Sequence, residues 1–452
     1  MTVSVIHASG VVILAQIKMR DITSELAVKH NVLIYGYEIY TKYCSVKVKN
    51  MHTNENLNII KNKKSMNDKP IEIVERKGLG HPDTICDSIM NQMSIDLSNE
   101  YIKKFGTILH HNLDKALLSA GQTTPTFGGG SRIKPMRMIF GDRATYRVEN
   151  EDVDVFDTAK KTATRWFHDN IPLINTDDII YDNAIESGSI ALQDIFERKA
   201  KYLGANDTSA TVGYAPLSIL ENFVLSLEYY LNTKKFKKSY PQSGQDIKIM
   251  AYRNGNLLDL TVSVAMVSSE IESEKEYFAY TAEIKDIIEK YIKEKSPYLI
   301  NKIRFNALDK PNRGEAGCYL TLSGTSAESG DSGQVGRGNN PKGIIPLFRP
   351  SSAEALAGKN PISHVGKIYN SWGFYLANKI VEYTGVDQAY VWLLSTIGSP
   401  VNEPASIAVE VSTRLPNTFK INKAIEQLIA YEIENLDKYM KDLQVGTIHE
   451  YY

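Results

Sequence analysis

Between Gly324 and Asn339 the chain reads GTSAESGDSGQVGRGN, a glycine-dense run that carries Asp331 and Arg337. Glycines such as Gly330, Gly333, Gly336 and Gly338 let a backbone come close to an anion and aim successive N–H groups at it. Arginine and lysine neutralise charge, and a carboxylate can hold an accompanying metal ion. AGKNPISHVGKIYN follows from Ala357 and adds Lys359 and Lys367. Together these residue types describe a polyphosphate cradle. The plain alternative is a long surface loop with incidental charges, and motifs elsewhere in the chain weigh against it.

Gly80-His81-Pro82-Asp83 stands where a strand pattern hands over to a helix pattern, which puts His81 and Asp83 at a helix N-terminus suited to phosphate and its metal. Taken alone, the motif reads better as an ordinary N-cap at Asp83 beside a satisfied surface imidazole at His81. Asp207, in GANDTSATVG, lies on a loop where its carboxylate could receive an ammonium group, or serve only as a turn residue. Asp246 and Lys248 share one face of a strand opposite Ile247, either toward a ligand or on a solvated edge.

The elements that must position these groups follow from periodicity. Ile71–Val74 reads as a strand, and Ile85, Ile89, Met93, Leu97 and Tyr101 mark one face of a helix ending at Gly106. Strands are expected at Ala116–Ala120, Met136–Phe140, Cys318–Ser323, Tyr390–Ser395 and Ser406–Val411. Asp246–Tyr252 and Leu257–Val267 form a hairpin about Asn254-Gly255. Helices are expected at Phe156–His168, Pro216–Leu231 with Pro216 in its first turn, Ala282–Glu294, Ser363–Tyr383 and Asn422–Leu443. Without strict βαβ alternation the class is α+β, and no internal repeat is visible in the sequence.

The 452 residues supply a large core, and 52 Lys plus Arg against 53 Asp plus Glu leave a net charge of −1, so no global field draws nucleic acid or membrane. Cys44, Cys86 and Cys318 fit small core residues in a reducing compartment rather than a disulfide framework. The apolar start has no basic segment before it and is broken by His7, so neither signal nor anchor is expected, and the expected location is cytoplasmic. The Asn- and Lys-rich stretch 50–69 reads as a linker, with the organised protein beginning near Pro70.

The order of motifs is then telling. GHPD, LLSAGQTT at Leu117, GANDTSATVGYAPLS, DIK, the Gly324 loop, AGKNPISHVGKIYN and IGSPVNEP at Ile397 resemble the S-adenosylmethionine synthetase family in its archaeal-type branch, over Ile71 to Val411. The resemblance implies ATP and L-methionine as substrates, Mg2+ and often K+ as cofactors, and three α/β subdomains interwoven about a pseudo-threefold axis. It also implies a homodimer or dimer of dimers with active sites between subunits. Residues 66–452 would be the catalytic region and residues 1–65 an extension; a start at Met51 would suit the family's length.

Carried over by position, His81 meets the bridging and leaving phosphate oxygens and Asp83 binds magnesium. Asp207 faces the methionine ammonium group, Lys248 and Arg337 face the triphosphate, and Asp331 helps hold the substrate pair. Lys359 matches the lysine of GK-x-P, and Lys367 is supported by the branch's HVGK string. Gln122 stands where the other branch has glutamate, and no residue matches the potassium site. Three rival readings are a serine hydrolase with Ser332 as nucleophile and His81 or His364 as base, a non-catalytic nucleotide-binding subunit that only stabilises a partner, and an ATP or polyphosphate hydrolase that never uses methionine. The first leaves Lys248, Arg337, Lys359 and Asp83 without a role.

Overall fold

Residue spacing sets the helix that organises the site. Ile85, Ile89, Met93, Leu97 and Tyr101 are all fully buried along one face of helix Pro82–Phe105, which starts on His81 as N-cap and stops where Gly106 takes a φ of 74°. The structure is a computed structural model describing residues 3–6, 12–15 and 56–446, apart from 199 and 417. Met1–Met51 form a unit of their own, in which Val3–Ile6 pairs antiparallel with Val12–Ala15. Cys44 lies outside the described residues.

In the larger unit, His52–Tyr452, three sheets share one plan. Each contains three antiparallel strands and a parallel strand at one edge, and the first two sheets carry further short strands, Leu320–Thr321 and Ile345–Pro346 in the first and His111–Asn112 in the second. In the first sheet Ile71–Lys77, Ser243–Asn254 and Leu257–Val267 run antiparallel, and Leu299–Phe305 lies parallel to the last. The second has Gly333–Gln334, Leu117–Ser119 and Met136–Ala144, with Ile179–Ser187 parallel at the edge. The third has Ala210–Ala215, Gln388–Leu394 and Ser406–Ser412, with Leu57–Asn62 parallel at the edge.

The leading strand of each sheet is followed by a helix that packs on a different sheet. Ile71–Lys77 leads to Pro82–Phe105 on the second sheet, Gly333–Gln334 to Val365–Thr384 on the third, and Ala210–Ala215 to Ile219–Asn232 on the first. This cyclic exchange gives three interwoven α/β subdomains with a pseudo-threefold plan, the α+β class expected. Apolar cores lie under the first two sheets, and a smaller cluster of Val212, Tyr214, Phe374 and Tyr390 lies on the third.

Several expectations are corrected. The stretch read as a linker contains the edge strand Leu57–Asn62 and the buried Met66; an edge strand with one solvated side carries polar residues, which hid it. The helix expected from Pro216 begins at Ile219, because Ser218 and Glu221 form the capping box. The hairpin turns at Gly255-Asn256, with Gly255 at φ 59° and Asn254 already paired with Leu257. The span Asn422–Leu443 is two helices, Thr418–Glu434 and Leu436–Gln444, and the Cys318–Ser323 strand shrinks to Leu320–Thr321. Cys86 is buried as expected, whereas Cys318 is half-buried.

Candidate active site

The turn Gly78-Leu79-Gly80 is fastened on all three N–H groups. Gly78 donates to Ile247 O at 2.7 Å, Gly80 to Gln245 O at 3.0 Å, and Leu79 to the buried Glu228 carboxylate at 3.2 Å. A side chain at Gly80 would fall 2.4 Å from Asp246 N, so only glycine allows this approach. The turn thereby sets His81 against the strand that bears Asp246 and Lys248. That strand is central in its sheet, and the solvated-edge reading of Asp246 and Lys248 does not hold.

His81, Asp246, Lys248, Gly330 and Asp331 line one cleft of about 590 Å³, together with Asn306, Asp309 and Tyr319. Burial lowers the His81 pKa to about 4, with Lys77 and Lys248 assisting and Asp83 opposing, so the ring is neutral at pH 7. Its Nδ1 accepts the Asp83 N–H at 3.2 Å, which assigns the proton to Nε2 and makes that atom a donor. Asp246 is buried, and its carboxylate accepts from the Ser326 N–H and hydroxyl at 2.9 and 2.5 Å. Burial, with Asp331 adding, raises its pKa to about 6. Lys248 is half-exposed and sits 3.1 Å from Glu75.

Asp83 lies just behind His81, 2.8 Å from Lys77 Nζ and accepting the Gln334 N–H at 2.9 Å. One turn on, Asp87 accepts the Gly336 N–H at 2.9 Å, and burial raises its pKa to about 7. The glycine loop therefore lies directly on helix Pro82–Phe105: a side chain at Gly333 would meet Pro82 O at 2.1 Å. Arg337 is exposed on the outside of this loop. The N–H groups of Ser326, Ser332, Gln334 and Gly336 in this loop are thus given to carboxylates of the protein itself.

Lys359 and Lys367 stand in a second cluster further along the same helix. Lys367 is buried and donates to Asn91, eight residues and about 12 Å beyond Asp83. Lys359, also buried, pairs with Asp114 and lies 3.4 Å from Glu354. Glu354 in turn accepts from Ser209 at 2.9 Å, on the loop of the exposed Asp207, whose carboxylate accepts the Thr208 N–H at 2.7 Å. Gln122 is exposed on the ribbon formed by Gln122–Thr126 and Gly129–Lys134. One chain thus brings His81, Lys248, Gly330 and Asp331 together on one cleft wall, while Asp83, Arg337, Asp207, Lys359, Lys367 and Gln122 are not on it.

Sequence reasoning passed over Asp87, Lys77 and Asp114. Asp87 was within reach, since it follows Asp83 at the i+4 spacing that puts both on one helix face. Lys77 and Asp114 join the site only through strand pairing and tertiary contact. Among the described residues no three His, Cys, Asp or Glu side chains form a ready-made metal centre. Magnesium bound to a triphosphate needs only one or two protein carboxylates, because phosphate oxygens and water complete its shell. Asp331, exposed in the cleft, and Asp83, held by a displaceable lysine, fit that requirement.

Comparisons with known proteins identify the family. Residues 55–447 match the family described as S-adenosylmethionine synthetase (AdoMet synthetase). The chain is 42% identical over 375 residues to the S-adenosylmethionine synthase of Pyrococcus furiosus, covering 82% of this chain and 93% of that one. It is 42% identical over 390 residues to that of Methanocaldococcus jannaschii, covering 84% and 96%. A solved structure of an unusual S-adenosylmethionine synthetase from Campylobacter jejuni shares the fold with a TM-score of 0.54 at 18% identity, covering 84% of this chain and 94% of the other. The chain belongs to the S-adenosylmethionine synthetase family.

Proposed function

We propose that this protein is a methionine adenosyltransferase that forms S-adenosyl-L-methionine from ATP, L-methionine and water and releases phosphate and pyrophosphate. The methionine sulfur has no proton to lose, so its attack on C5′ of ATP calls for no general base. It calls for alignment of sulfur, carbon and leaving oxygen, and for stabilisation of the departing triphosphate. The observation that carries the reading is the convergence of a neutral His81 donor, Lys248 and Asp331 on one cleft.

In this reading His81 Nε2–H donates to the leaving oxygen, and Lys248 and Arg337 face the triphosphate. Gly330 gives the backbone room, while Gly333, Gly336 and Gly338 seat the loop. Magnesium, when bound, neutralises the triphosphate; Asp83, once Lys77 releases it, and Asp331 are the residues that would hold it. Asp207 would receive the methionine ammonium group, and Lys359 and Lys367 would add positive charge. Because these three lie off the cleft wall, a homodimer or dimer of dimers is the assembly that would complete each site, with Gln122 on an exposed ribbon near the shared surface. In this reading the catalytic region takes in the edge strand Leu57–Asn62 as well as residues 66–452. A serine hydrolase finds no support: Ser332 Oγ accepts the Ala120 N–H at 3.0 Å, and His81 Nδ1 is occupied by Asp83.

Purified protein incubated with ATP and magnesium, with and without methionine, tests the proposal. The expected result is a methionine-dependent sulfonium product equal in amount to the pyrophosphate released. Phosphate release with no such product would leave a polyphosphate hydrolase instead. Repeating the assay with ethionine measures how much room the methyl pocket has.

A further inference from the structure

We infer that Asp87 is the positioning residue for Arg337, an inference that rests on reading Arg337 as a triphosphate contact. The two residues flanking Arg337 both turn their backbone toward this one carboxylate. Gly336 N–H donates to Asp87 Oδ1 at 2.9 Å, and Gly338 N–H also faces the Asp87 carboxylate. A side chain on Gly338 would fall 2.2 Å from Asp87 Oδ2, so the strap lies as close to the acid as backbone can.

The strap is held at further points on the same side. Gln334 N–H goes to Asp83 at 2.9 Å, Arg337 O accepts from Lys77 Nζ at 2.6 Å, and Asn339 exchanges two hydrogen bonds with the Lys77 backbone at 3.0 and 2.7 Å. With its neighbours' N–H groups and its own carbonyl turned to the protein, Arg337 projects its side chain outward, and it is exposed. Asp87 itself is buried and does not line the cleft of His81 and Asp331; it borders a neighbouring cavity with Gly336 and Gly338, and it acts by fixing the direction in which the guanidinium is presented. A carboxyl group suits the place because its two oxygens can accept from two N–H groups at once.

A double-variant comparison tests this. Arg337→Ala should lower kcat by about a few hundredfold, the usual loss for one preorganised charge contact. Asp87→Asn, which turns an amide N–H toward Gly338, should lower kcat by about tenfold or more with the methionine KM unchanged. The combined variant should be no slower than Arg337→Ala alone, because residues acting as a unit are not additive. Trypsin cleavage after Arg337, followed by mass spectrometry, should quicken in Asp87→Asn while cleavage at other exposed lysines and arginines does not. Gly338→Ala, which breaks the same contact from the other side, should reproduce both effects and carries the comparison should Asp87→Asn fail to fold. Losses that multiply in the combined variant, or wild-type kcat in Asp87→Asn, would overturn the inference alone. Wild-type turnover in Arg337→Ala would overturn the reading of Arg337 and the inference with it.

Discussion

Burial, not a partner, sets the charge state of the cleft's histidine. His81 titrates at about 4 and presents Nε2–H, so it acts as a neutral donor across the physiological range. Replacing it by asparagine keeps a capping oxygen but leaves its amide N–H groups short of the Nε2 position, and kcat should fall by about a hundredfold or more with little change in protein stability. Steady-state kinetics with a parallel thermal melt would check this, and a loss carried wholly by the melt would count against it. Asp246 gives a pH test. Its carboxyl is raised from 3.8 to about 6, so the folded state binds more protons than the unfolded one between those values, and stability falls as pH rises through that window. Asp246→Asn lacks this term and should gain on the wild type by up to about 3 kcal/mol between pH 4 and pH 7. Urea unfolding at the two pH values measures the difference.

The glycine strap shows what an element requires of sequence. Gly333→Ala would drive a Cβ to 2.1 Å from Pro82 O at the start of the helix capped by His81, and should cost about 1 to 3 kcal/mol along with much of the activity. Gly106→Ala is the control. It meets only the strain of φ 74°, with no atom within 4 Å, and should cost about 1 kcal/mol while activity stays near wild type. Calorimetry and kinetics on the pair separate close approach from backbone strain.

Long amphipathic helices were readable in the sequence because their buried residues recur every four positions, as Ile85 to Tyr101 do. The short strand Gly333–Gln334 was not readable, since two residues carry no period and only their partner Leu117–Leu118 makes them a strand. The glycine loop was legible as a special backbone but not in its purpose. The sequence suggested N–H groups free for phosphate, whereas Gln334 and Gly336 spend theirs on Asp83 and Asp87. That difference lies in tertiary contact, which local pattern does not encode.

At the scale of the molecule, the repeated plan of three sheets was invisible in sequence because each subdomain is assembled from separated segments and the repeats share shape rather than residues. The same scattering explains why charged motifs far apart in the chain meet. It also divides the candidate residues: His81, Lys248 and Asp331 share the cleft, while Asp207, Lys359 and Lys367 stand off its wall. Turnover per chain should therefore drop on dilution below the dissociation constant of the dimer, with helix content by circular dichroism unchanged. Light scattering run beside the assay decides it, and undiminished turnover from monomers would refute the shared site.

Leu57–Asn62 closes its sheet against Ser406–Ser412, and Asn62 meets Glu410 across 348 positions of sequence. The ribosome therefore makes the first of these strands 348 positions ahead of its partner, and this layer stays open on one side until the later strand emerges to cover it.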